Sequence, residues 1–202
     1  MAELADRRPP MGRPRTPGVD EAVIRATIRR FIEDGYTGMS LAKVAADAGT
    51  TRPSVYLRWP TKQALVVAAV RSTLTQEDEL VPENLLELQP KKRLLRLLRH
   101  LRPSEDHQHR TLYATLLAES RRIPELLDLI NEELVEPRTR AISTLLESMK
   151  ERGEIRAGVN TEHAATMLYG VRFVDSLRPR PGTADPDRES VELLWPAIAA
   201  QP

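Results

Sequence analysis

The sequence predicts an all-α fold of about nine helices, and three observations lead there. Apolar residues recur at helical spacing along almost the whole chain, no stretch alternates apolar and polar as a strand would, and proline and glycine cluster between the periodic segments. With 202 residues, 41% apolar and 29% charged, the chain has room for a sizeable core without disulfides or metals to hold it. It has no cysteine, which excludes disulfide frameworks, thiolate zinc sites and cysteine nucleophiles. The first 18 residues lack the apolar stretch of a signal peptide, and no run approaches the roughly 18 apolar residues of a membrane span. A soluble cytoplasmic protein is the expectation.

Residues 1–17 are rich in Pro and Arg, have no periodicity, and read as a disordered basic arm. Asp20 and Glu21 then open a first helix at the end where carboxylates suit the dipole. Ile24, Ile28 and Phe31 give it an apolar face, and Gly35 closes it, with Tyr36 packing just beyond. Ser40 is placed to cap a short second helix carrying Leu41, Val44 and Ala45 inward. Ala48-Gly49-Thr50 reads as a tight turn into a third helix from Thr51, where Pro53 is tolerated in the first turn. Trp59-Pro60 ends that helix, and Thr61 caps a fourth that should run to about Leu80. Further helices are expected over about 91–102, 108–121, 124–135, 137–152, 161–177 and 187–199. Among the prolines between them, Pro90, Pro124 and Pro137 suit first turns, and Pro179, Pro181 and Pro186 mark the last loop.

Charge is divided unevenly. Residues 1–62 hold eleven Arg and Lys against seven Asp and Glu, whereas the rest of the chain carries a net −3. A basic N-terminal third on an acidic body suggests a polyanionic partner, although a solvated charged face gives the same count. The stretch SLAKVAADAGTTRPSVYLRWPTK, from Ser40 to Lys62, sharpens the reading. Two short helices about a glycine turn form a helix-turn-helix, whose second helix fits a major groove with its N-terminal residues at base edges. Thr51, Arg52 and Ser54 stand there, and Arg52 could fork onto guanine O6 and N7. Tyr56 suits a phosphate oxygen, and Lys62 adds a charge to the N–H groups opening the fourth helix. By spacing alone, any helical hairpin with a glycine turn also fits.

GRPR, then VIRATIRRFIEDGYTGMS, then LAKVAADAGTTRPSVYLRWPTKQAL, resembles the N-terminal domain of tetracycline-repressor (TetR) family regulators over about 60 residues. The shared features are an Ile-rich helix ending in F-x-x-x-G-Y, a V-A-x-x-A-G core, and V-Y-x-x-W-x-x-K-x-x-L. The resemblance implies a homodimeric, ligand-responsive regulator, expected to be a repressor on a palindromic duplex operator, with a DNA-binding domain at 18–78 and a ligand-binding and dimerisation domain at 79–202. It implies a phosphate contact for Ser40, base-facing positions for Thr51, Arg52, Pro53 and Ser54, and phosphate contacts for Tyr56 and Lys62. Pro53 departs from the small residue usual there, Arg58 stands where His is frequent and would add charge near the backbone, and Lys43 replaces the acid of a capping box and is expected at a phosphate. In the arm, Gly12-Arg13-Pro14-Arg15 resembles an AT-hook core, so Arg13 and Arg15 are expected at DNA.

The body resembles the same family more loosely. By that resemblance the helices at 161–177 and 187–199 form the dimer interface, through Ala164, Leu168, Val171, Val174, Val191, Leu194 and Ile198. Plain core packing accounts for the same stripes. Tyr113, Leu116, Leu117, Met149, Met167, Tyr169, Phe173 and Trp195 are candidate walls of a ligand pocket, and each also reads as ordinary core. No cofactor is implied. An enzyme or a scaffold without DNA binding is the rival reading. Neither a nucleotide-binding glycine loop nor H-E-x-x-H nor G-x-S-x-G occurs, and His107 and His109, two apart, fall on different helix faces.

Overall fold

The computed structural model describes residues 18–75, 81–82, 84–101, 107–177 and 185–200. The arm with Arg13 and Arg15, Leu80, and the loop prolines Pro179 and Pro181 lie outside them. The chain forms α1 (Val19–Gly38), α2 (Leu41–Asp47), α3 (Arg52–Arg58), α4 (Lys62–Leu74), α5 (Pro90–His100), α6 (His107–Glu119), α7 (Glu125–Leu129), α8 (Glu136–Glu151), α9 (Thr161–Leu177) and α10 (Pro186–Ile198). A 3-10 turn, Leu85–Glu87, precedes α5, and a π-helical segment, Ile130–Val135, joins α7 to α8 without a break. Among the described residues the only strand-like pairing is an isolated bridge between Ile155 and Ala199.

Two expected boundaries are corrected. The fourth helix stops at Leu74, because Thr75 adopts an extended conformation and its hydroxyl donates to Glu133 Oε2 at 3.0 Å. Nor do residues 124–135 and 137–152 form separate helices. Pro137 has no N–H, so the Glu133 carbonyl lacks the partner that α-geometry would give it four residues on. The chain moves instead into the i→i+5 register, with the Glu136 N–H on Asn131 O. Arg138 Nη1 then donates to Leu134 O at 3.0 Å and Glu133 O at 3.3 Å, and the Thr139 hydroxyl to Val135 O at 2.9 Å. Arg138 thus reaches the carbonyl that the proline leaves without a partner.

Packing divides into two cores that do not follow chain order. The first joins Phe31, Val44, Val55 and Leu65 of α1–α4 to Leu116 of α6 and to Leu126, Leu129 and Leu134 of α7 and the π segment. The second joins α5, α8, α9 and α10 through Leu94, Leu97, Leu146, Tyr169 and Val191. Val135 and Phe173 pack against both. Inside the second core, Arg172 of α9 and Asp187 of α10 form a salt bridge at 2.9 Å with side chains 5% and 0% exposed. Arg93, also buried, holds Glu154 at 2.7 Å and the Leu88 carbonyl at 3.0 Å, which pins the 3-10 turn to the body.

Candidate nucleic-acid interface

The site begins with two backbone reversals that only glycine makes without strain. Gly35 has φ 63°, and Met39 N–H returns to its carbonyl at 3.1 Å, so Tyr36 to Gly38 form one further turn before α2. The Tyr36 N–H donates to Glu119 Oε1 of α6 at 3.1 Å, and that carboxylate would crowd a Cβ at position 35. Gly49, at φ 64°, ends α2: the Gly49 N–H returns to Ala46 O and the Thr50 N–H to Ala45 O, at 3.1 and 2.9 Å. These are the paired bonds of a Schellman motif, and they set the angle at which α3 leaves.

On α3 the side chain fully inside is Val55, which anchors the helix to the first core. Thr51, Arg52, Pro53 and Tyr56 are exposed, and Ser54 is half-buried. Arg52 and Tyr56, one turn apart, pair on the outer face: the guanidinium lies 5.3 Å from the ring centroid and Nη2 donates to the Tyr56 hydroxyl at 3.1 Å. Thr51 also caps α3, its Oγ1 accepting the Ser54 N–H at 3.3 Å. Ser40 occupies the N-cap of α2, but its hydroxyl accepts no capping bond, which is consistent with Lys43 standing where a capping-box acid would be. Lys43 is exposed.

Two of the cations expected at DNA make contacts within the chain. Arg58 does not reach outward. It is half-buried, forms an ion pair with Asp20 at the start of α1, and donates from Nη1 to Ser54 O and Oγ at 3.0 and 2.6 Å. It locks α3 to α1. Lys62, at the head of α4, folds over the Tyr36 ring at 4.8 Å and donates to Thr37 O at 3.4 Å. Partial burial lowers its pKa, with the Glu119 carboxylate opposing that shift. Asp47, at the end of α2, accepts Arg30 Nε and Arg29 Nη2, each at 2.7 Å. Those bonds, Arg30's first and then Arg29's, hold its carboxyl down at about 2.

Leu57 was not singled out from the sequence, yet it is 86% exposed on the outer face of α3. The signal was available: with Val55 inward, a residue two places on must face away.

The body departs from expectation in both of its proposed surfaces. Tyr113, Leu116, Met149 and Tyr169 are close-packed core, Leu117, Phe173 and Trp195 pack at its margin, and Met167 is exposed. None lines the cavity of about 820 Å³ that lies between the 3-10 turn, α5 and α8. Of the expected dimer residues, Ala164, Leu168, Val191 and Ile198 are buried in the chain's own second core and Leu194 is half-buried. The outward apolar residues are Met167, Val171 and Val174, at i, i+4 and i+7 on α9, and Leu193 on α10. On α9 the expected residues form one face whose exposure is graded, from Ala164 and Leu168 at its buried edge to Val171 and Val174 at its exposed edge.

No group of three or more His, Asp or Glu among the described residues could hold a metal ion, and no described helix is long and apolar enough to cross a membrane. Residues 23–69 match the family described as bacterial regulatory proteins, tetR family, and residues 89–194 match the tetracyclin repressor-like C-terminal domain. An uncharacterized HTH-type transcriptional regulator of Mycobacterium tuberculosis is 33% identical over 200 residues, 98% of this chain and 96% of that one. Among solved structures, a TetR-family transcriptional regulator of Mesorhizobium loti superposes with a TM-score of 0.74 at 21% identity, over 93% of this chain and all of that one. The flavonoid-responsive regulator FrrA superposes with a TM-score of 0.70, also at 21% identity, over 91% of this chain and 98% of that one.

Proposed function

Because the chain belongs to the TetR family of DNA-binding transcriptional regulators, we propose that it acts as a homodimeric repressor, released from a roughly palindromic operator when a small molecule enters its helical body. The observation that carries this reading is the outer face of α3, where Arg52, Tyr56 and Leu57 stand exposed on a helix tethered from beneath by Val55 and Arg58. The Arg52–Tyr56 stack is worth about 0.5–1 kcal/mol at an exposed site. A bidentate arginine–guanine contact is worth about 1–3 kcal/mol in discrimination, so the base outbids the ring. Thr51, Pro53 and Ser54 share the base-facing end with Arg52, and Leu57 offers an apolar contact to a thymine methyl. Ser40, Lys43, Tyr56 and Lys62 take phosphates, and Arg13 and Arg15 reach an adjacent minor groove. Arg58 is a structural tie in this proposal.

One motif per chain reads one half-site, so a palindrome calls for two chains. The exposed stripe of Met167, Val171 and Val174 with Leu193 is the surface we assign to that contact. FrrA is named as flavonoid-responsive, which supports a small-molecule input on this fold. The experiment is selection of bound duplexes from a random-sequence library, with sedimentation of the free protein. A two-fold symmetric consensus and a dimer are expected. Retention of no duplex, or a monomer at micromolar concentration that still binds tightly, would overturn the reading.

A further inference from the structure

We propose that Arg58, which makes its contacts within the chain, sets the Ser54 hydroxyl as a hydrogen-bond donor to the base edge. The base facing Ser54 is then one that presents an acceptor, and cytosine is refused. This rests on the regulator reading above, which turns Ser54 toward the bases, and it adds the sense in which that hydroxyl reads them.

A serine hydroxyl has one hydrogen and two lone pairs, so by itself it accepts from a base as readily as it donates. In this chain one lone pair is taken. Arg58 Nη1 donates to Ser54 Oγ at 2.6 Å and to Ser54 O at 3.0 Å. The distance to Oγ is that of a short, charge-assisted bond, and a guanidinium can only donate. Its Nε is paired with Asp20 at the start of α1, so Arg58 is held from both sides. The hydroxyl hydrogen is left over. Elsewhere the chain consumes such hydrogens: Thr27, Thr73, Thr115, Thr139 and Thr166 each donate to the carbonyl four residues back, at 2.7 to 2.9 Å. Ser54 does not follow them. It is the third residue of α3, and Thr50, four back, precedes the cap of that helix. Among the described residues its hydrogen meets no acceptor.

The major groove makes this sense selective. Guanine presents O6 and N7, thymine O4 and adenine N7 as acceptors, whereas cytosine presents only the hydrogens of its N4 amino group. An acceptor meets an O–H that the guanidinium has already polarised, which strengthens the bond. The second lone pair of Oγ stays empty, but an amino group using it would bring its hydrogen toward an oxygen already bound to a cation. Ser54 is therefore the residue that touches the base, and Arg58 is a positioning residue that gives the contact its direction. Asp20 acts one step further back, by holding Arg58.

The test uses the full chain and the duplex selected from the random library, with each base pair of the half-site replaced in turn by the other three. Ser54→Ala should abolish discrimination at one pair, and at that pair the parent chain should disfavour cytosine by roughly 2–10-fold. Arg58→Leu also loosens α3, so it should weaken every duplex. Beyond that uniform loss it should erase the cytosine penalty, and adding Ser54→Ala to it should change the pattern no further. Asp20→Asn keeps the guanidinium with a weaker hold and should lose part of the penalty, which decides the matter even where Arg58→Leu does not fold. A parent chain that favours cytosine at the Ser54 pair overturns the donor sense. Equal weakening of all duplexes by Ser54→Ala puts the hydroxyl on phosphate and overturns the base contact. A full penalty in the folded Arg58 and Asp20 variants makes Arg58 a tether alone and overturns its positioning role. Retention of no duplex by the parent chain overturns the regulator reading and the base contact together, whereas tight binding with an unaltered pattern in all three variants overturns the base contact and leaves the regulator reading standing.

Discussion

Arg52 carries the most specific expectation of any single residue. Arg52→Ala should relax discrimination at one base pair of each half-site by about 1–3 kcal/mol. Competition binding with duplexes altered one position at a time reads this directly. A uniform loss across all duplexes would place Arg52 on phosphate instead. Asp47 bears a pH dependence whose sign follows from its partners. Hydrogen bonds from Arg30 and Arg29 hold its carboxyl at about 2 in the folded chain, below the roughly 3.9 of an unperturbed aspartate. The tie between α1 and α2 is therefore fully present above that ordinary value and is lost as pH falls toward 2. Asp47→Asn should be less stable than the parent at pH 6, and the gap should close between pH 4 and pH 2. Urea unfolding at a series of pH values reads it, and a gap that persists at pH 2 would mean that the carboxylate charge is not what joins the helices.

At the scale of elements, α9 gives two predictions because its opposite sides have opposite environments. Its inner side holds Arg172 against Asp187 of α10, both buried. Arg172→Ala removes the buried cation that faces Asp187, and should cost about 3–5 kcal/mol in urea unfolding. Its outer side presents Met167, Val171 and Val174, so Val171→Glu should shift sedimentation toward monomer with little change in helical content. The α9 helix shows what was legible in the sequence and what was not. Its span is found at 161–177 as expected, since capping and periodicity are local properties. Where the buried edge of this face ends was not legible, because Ala164 and Leu168 are as apolar as Val171 and only the positions of α8 and α10 decide which of them is covered. The same holds for the pocket: Tyr113 and Tyr169 looked like walls by their chemistry, yet both are filled-in core. The turn at Gly49, the N-cap at Thr51 and the tolerated Pro53 were readable, because each is settled within a few residues. Pro137 does stand in the first turn of α8, as expected. That the preceding helix runs on into α8 was not legible, because the bond from Arg138 to the Glu133 carbonyl depends on a register that periodicity does not reveal.

For the whole molecule, the two interlocked cores matter most. Residues of α6, α7 and the π segment, as far along as Leu134, complete the core on which the helix-turn-helix rests. The expected boundary at 78 therefore cuts through this core. A fragment ending at residue 78 would expose the faces of α1 and α4 that Leu116, Leu126 and Leu129 cover, and it should lose the cooperative thermal transition of the full chain. A sharp, cooperative melt of that fragment would show the first core to be self-sufficient. The order of synthesis then acquires a meaning. On that expectation the helix-turn-helix is synthesised first but waits for about 60 further residues, as far as Leu134, before its core can close. At roughly 5–20 residues per second, that delay is some seconds. On the same expectation a nascent chain lacks a rigid α3 until then and should compete poorly with finished protein for DNA.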